Sequence, residues 1–107
     1  MESKKIWRKT SRIERILTDL EKEGKYSKEQ FSADVNDFLN NENDKRYGKH
    51  GIVIKGGKVW SIILGYDLRT LYFLVEEHKG IIEYVFFDIG NHDDVYSKKA
   101  RKGFRII

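Results

Sequence analysis

The chain has 107 residues, enough to bury one core of useful size and too few for two, so a single domain spanning 1–107 is expected. It contains no Cys, which excludes disulfides, a thiolate nucleophile and a Cys-built zinc site, and favours a cytoplasmic protein. Lys and Arg number 21 against 17 Asp and Glu, a formal charge of +4 with a pI near 9.2, which suits a polyanionic partner.

Met1 to Arg12 is polar and basic, with Ile6 and Trp7 as its large apolar side chains. No signal peptide or membrane span is expected there, and the chain reads as soluble and unprocessed, with no membrane partner. A short stretch around Lys5 to Lys9 can form a strand. Ser11-Arg12-Ile13-Glu14 then has the capping-box form, in which a Ser hydroxyl and a Glu carboxylate satisfy free N–H groups of a helix start. Ile13, Ile16, Leu17 and Leu20 follow at helical spacing, and Gly24 supplies a stop. Ser27 to Gln30 repeats the capping pattern. Phe31, Val35, Phe38 and Leu39 make a second apolar stripe, which runs out in Asn40 to Asp44. So short a link makes the pair an antiparallel helical hairpin.

After about Gly51 the period becomes extended, and β-branched and aromatic residues are dense between Lys58 and Asp88. Three strands are expected, Lys58 to Leu64, Arg69 to Glu76 and Ile81 to Asp88. Their short turns, Gly65-Tyr66-Asp67 and Glu77 to Gly80, require antiparallel pairing. The predicted architecture is α+β: an N-terminal strand and a helical hairpin packed on an antiparallel sheet, in the order β-α-α-β-β-β, ending in a short helical turn or tail. On the strand from Arg69, Leu71, Phe73 and Val75 line one face and Thr70, Tyr72 and Leu74 the other. Neither is a water face, so the second side also suits a docked partner.

Most catalytic templates are absent. There is no phosphate-loop pattern and no Ser elbow, and Gly56-Gly57 reads as a turn. His50, His78 and His92 are too scattered for a metal site. What remains is a convergence that follows from strand pairing. Arg69 opens one strand, while His92 and Tyr96 follow the end of its neighbour. If 93–96 forms a helical turn, His92 and Tyr96 share a face. RNA cleavage needs such groups, because the 2′-hydroxyl serves as an internal nucleophile on the adjacent phosphate. The protein must then move protons and stabilise a crowded anion. His92 titrates near neutrality and suits acid or base work, Arg69 matches phosphate oxygens, and Tyr96 can stack on a base or orient a phosphate. No cofactor or metal is required. From Tyr96 onward every charge is positive, and Lys98, Lys99 and Arg101 can track phosphates. Each of these residues also has an ordinary structural role available: a solvated loop His, a packing Tyr, a solvated basic tail, and an Arg69 paired with Asp67 or Asp88.

The segment KVWSIILGYDLRTLYFLVEE, Lys58 to Glu77, followed by IGNHDDVY, Ile89 to Tyr96, resembles the RelE/ParE superfamily of toxins, and within it the messenger-RNA interferases of the RelE and YafQ type. The preceding helical hairpin has the family's order and size. The resemblance implies a toxin of a type II toxin–antitoxin system, a ribosome-dependent endoribonuclease of messenger RNA, held in check by an antitoxin protein. Arg69 resembles the strand Arg that contacts the scissile phosphate, His92 the His used as acid or base in YafQ-like members, and Tyr96 the aromatic that ends the motif. His50, in Lys49-His50, resembles an upstream His of the same members. RelE-type members carry Lys or Arg on the strand where this chain has Ser61 and Ile63, and Asp88 stands where YafQ-like members often have a basic group. Lys55, Lys58 and the basic tail are the candidates to compensate in binding RNA. Two other readings share the fold: a ParE-like inhibitor of DNA gyrase, and a toxin relic that only binds its antitoxin.

Overall fold

The computed structural model describes residues 4–54, 56–77 and 80–91. Strand β1 (Lys4–Lys9) leads into helices α1 (Ser11–Lys22) and α2 (Lys28–Asn40). A 3-10 turn (Lys45–Tyr47) follows, and then strands β2 (His50–Ile54), β3 (Gly57–Ile63), β4 (Arg69–Glu77) and β5 (Ile81–Gly90). A second 3-10 turn (Gly65–Asp67) joins β3 to β4.

The α+β class and the helical hairpin are as expected, while the sheet differs in two ways. Among the described residues it has five strands in the order β1-β5-β4-β3-β2, the additional one being β2. It is also mixed rather than antiparallel throughout. Strands β2 to β5 form an antiparallel meander, but β1 lies parallel to β5, with Lys4 opposite Ile81 and Lys9 opposite Phe86. The physical reason is the hairpin: it carries the chain from one sheet edge to the other, so the meander returns to β1 from the far side. The expected helical turn at 93–96 lies outside the described residues.

Local chemistry explains the helix ends. Ser27 caps α2, its hydroxyl accepting from the Gln30 N–H at 3.0 Å. The Ser11 box does not form, because α1 begins one residue earlier than the capping pattern implies. Thr10 occupies the cap position without a side-chain cap bond, and Ser11 is already helical. Gly24, at φ +70°, ends α1 in a Schellman arrangement: its N–H donates to Glu21 O and the Lys25 N–H to Leu20 O.

One face of the sheet carries the core. Ile13 and Leu17 from α1 and Phe31, Val35 and Phe38 from α2 pack on Ile62, Tyr72, Tyr84, Phe86 and Ile89. Trp7, Phe31 and Phe86 meet edge-on with centroids 5.9–6.0 Å apart, tying β1, α2 and β5 together. Each such buried side chain contributes about 1.5–3 kcal/mol of burial. The opposite face is apolar as well: Val59, Leu71 and Val85 are buried there, and the Phe73 and Phe87 rings lie 5.7 Å apart.

Among the described residues, no helix is long and apolar enough to cross a membrane.

Candidate functional site

Arg69 opens β4, opposite Ile63 on β3 and Gly90 on β5. Alternation fixes its face. Thr70 and Tyr72 are fully buried, with Tyr72 in the helix-side core, so Arg69, Leu71 and Phe73 point the other way. The position is held from α2. Asp34 accepts from the Gly65 N–H at 3.2 Å and from the Tyr26 hydroxyl, which anchors the turn immediately before β4. A Cβ at Gly65 would sit 3.3 Å from Asp34 Oδ2, so a larger residue would crowd this anchor. Burial, and then the bond to Asp34, push the Tyr26 phenol far above its ordinary range, so it remains a donor.

The salt bridges considered for Arg69 do not form. The Asp88 carboxylate instead accepts from Arg12 Nε at 3.2 Å and from the Ile89 N–H at 3.0 Å. Among the described residues Arg69 makes neither a hydrogen bond nor an ion pair with any carboxylate. A half-buried guanidinium without a carboxylate partner among the described residues is matched to an anion.

His50 opens β2 opposite Ser61, which in turn lies opposite Leu71, so His50 shares the face of Arg69. Two strand spacings and two residues along the strand separate them, about 12 Å between Cα atoms. The ring Nδ1 lies 3.0 Å from Gly48 O. A carbonyl can only accept, so Nδ1 is the donor in this contact. Gly48 sits at φ +51° closing the 3-10 turn, with Asp44 capping its start, which sets the entry of β2 and with it His50.

Lys49 and Lys58, expected to line the same RNA path, turn to the opposite face. Their ammonium groups lie over the Trp60 ring, 4.8 and 4.3 Å from its centroid. Lys49 also reaches Glu42 at 3.3 Å, where Lys5 and the Tyr84 hydroxyl converge. Burial alone would raise the Glu42 carboxyl, but the bonds from Lys5 and Tyr84 and the charge of Lys49 outweigh it and hold the group below the usual carboxylate range. His92, Tyr96, Lys98, Lys99, Arg101 and Lys55 lie outside the described residues.

Sequence reasoning missed Trp60 and the Arg12–Asp88 pair. Trp60 was legible as the residue two beyond Lys58 on one strand face; Arg12 and Asp88 meet only because β1 lies against β5. Among the described residues no cluster of three His, Cys, Asp or Glu is placed to hold a metal. Comparison of the chain with protein-family models, with curated proteins and with solved structures returns no match.

Proposed function

We propose that the chain is the toxin of a type II toxin–antitoxin pair, a metal-independent endoribonuclease that acts on messenger RNA at the ribosome in the cytoplasm. The observation that carries the reading is the Arg69 guanidinium, without a carboxylate partner among the described residues, on a strand position opposite Gly90, two residues of chain before His92. In this reading the RNA 2′-hydroxyl attacks the adjacent phosphorus and the bond to the 5′-oxygen breaks. A cyclic phosphate and a free 5′-hydroxyl result. Arg69 neutralises the anionic transition state, and His92 takes or gives a proton. Tyr96 stacks on or orients the scissile nucleotide, and His50, on the same sheet face, supplies a second proton-transfer group. An antitoxin occupies part of the apolar face around Leu71 and Phe73 when the toxin is silent.

A second reading is favoured by one feature of that face. Ser61 and Ile63 flank Arg69 where a nuclease of this kind is expected to carry cations, so a relic that binds an antitoxin without cutting RNA fits the same surface. A translation-coupled cleavage assay decides between them, run beside a DNA supercoiling assay. Cleavage that is lost in Arg69→Ala and His92→Ala, with folding retained, supports the nuclease. Binding of the antitoxin without cleavage identifies the relic, and inhibited supercoiling identifies a gyrase poison.

A further inference from the structure

On the helix side of the sheet, Trp60 forms one wall of a groove of about 540 Å³ that also involves Glu42, Asn43, Asp44, Lys45, Gly48 and Lys49. This is within the size range of small-ligand sites. The indole is only partly buried, and its ladder partner on β2 is Gly51. The missing side chain there has a structural use: a Cβ on Gly51 would fall 2.2 Å from Lys58 Cε, so the lysine stem crosses β2 through the space that glycine leaves, and its ammonium reaches the ring.

The charges around the groove are unevenly satisfied. Its acids are committed, Glu42 to Lys5, Lys49 and Tyr84, and Asp44 to Arg46 at 3.4 Å. Among the described residues, Lys45 and Lys58 have no carboxylate partner. Around the groove, a partly exposed indole lies under the Lys49 and Lys58 ammonium groups, with Lys45 and Lys58 lacking a carboxylate partner among the described residues and Lys49 shared with Glu42. A flat ring joined to an anion satisfies both features at once. An exposed Lys–aromatic contact is weaker than stacking of a nucleobase on Trp, so an incoming base can displace Lys58 from the ring and leave its ammonium for the phosphate.

We infer that Trp60 is the stacking platform of a subsite for an unpaired nucleotide of single-stranded nucleic acid, with Lys45, Lys49 and Lys58 holding its phosphate. The subsite lies on the face opposite Arg69, so it goes beyond the proposed cleavage centre and does not depend on that centre being active.

The test uses the full chain with a fluorescein-labelled decameric oligoribonucleotide, its deoxy counterpart and a duplex of the same sequence. Anisotropy reports binding, and tryptophan fluorescence reports the stack. Single strands are expected to quench Trp60 as they bind. Trp60→Leu should weaken binding about tenfold or more and Trp60→Phe less than about threefold, while Lys45→Gln with Lys58→Gln should lower the salt slope by up to roughly one. Binding of both single strands supports the subsite; binding of RNA alone supports it and identifies the sugar.

Saturation without quenching overturns the inference, as does a duplex binding equally well or Trp60→Leu binding like the parent. An acidic peptide that competes as well as RNA would overturn it in favour of a peptide site. If Trp60→Leu fails to fold, the quench in the parent and the salt slope of the lysine double variant decide. Arg69→Ala separates the two ideas: loss of cleavage with the quench intact leaves this subsite standing, whereas a parent protein that cleaves RNA with no quench overturns the subsite and leaves only the cleavage centre.

Discussion

Asp88 gives its carboxylate to Arg12, at 3.2 Å, and not to Arg69. The register places Asp88 opposite Leu71, diagonal to Arg69 and within reach of a guanidinium. Arg12 thus keeps a nearly buried acid from neutralising the cation on which the proposed chemistry depends. Arg12→Ala should lower RNA cleavage severalfold without touching Arg69, because Asp88 is then available to it. It should also cost about 1 kcal/mol in stability, since the pair is exposed on the Arg12 side but its acid is not. Single-turnover cleavage and urea unfolding of Arg12→Ala and Arg12→Lys measure both effects, and Lys should recover most of each.

Glu42 makes stability fall in acid. Its folded carboxyl titrates below its unfolded one, so protons favour the unfolded chain. The contribution is complete above the unfolded value of about 4.3 and is lost as pH falls through the lower folded value. Urea midpoints measured downward from pH 6 should therefore drop more steeply for the parent than for Glu42→Gln, with the curves converging at the acid end. Parallel curves would remove Glu42 as a cause.

The two helix starts separate cleanly by mutation. Ser27→Ala should cost about 1 kcal/mol, because a cap bond is lost, whereas Ser11→Ala should change stability by less than about 0.5 kcal/mol. Thr10→Val should be neutral or stabilising, since the Thr10 hydroxyl is buried without a hydrogen-bond partner among the described residues. Chemical denaturation of the three variants checks the order.

Gly48→Ala should destabilise by about 1–2 kcal/mol. It places a side chain at φ +51°, and its Cβ would meet Ile63 Cδ1 at 2.8 Å. Because Gly48 O also receives His50 Nδ1, the imidazole resonances of His50 should shift in the same variant, as a nuclear magnetic resonance spectrum would show. Gly51→Ala should cost far less in stability, since the atom it strikes belongs to a flexible lysine, yet it should change the fluorescence of Trp60.

Local patterns were readable where one element settles them. The apolar stripes of both helices, the Gly24 stop and the bounds of β3 to β5 follow from periodicity and turn chemistry. Strand β2 escaped because His50 and Gly51 blur its start, although Ile52-Val53-Ile54 before a Gly56-Gly57 turn was a hairpin signal; the register indeed pairs Ile54 with Gly57. The parallel β1–β5 pair was not legible, since no local feature of KKIWRK selects a partner so distant in sequence. The same limit applied to the site. Alternation placed Arg69 and Leu71 on one face, but the face taken by Lys49 and Lys58 depended on β2, and the choice of Arg12 by Asp88 depended on β1.

The β1–β5 ladder ties the order of synthesis to the appearance of structure. Lys4 waits for Ile81, so β1 gains its neighbour only when β5 has left the exit tunnel. A nascent chain interrupted before β5 lacks Tyr84, Phe86 and Ile89, on which both helices close. Half-made copies consequently expose apolar helices and a bare strand edge, which makes them substrates for chaperones and proteases rather than partly working molecules.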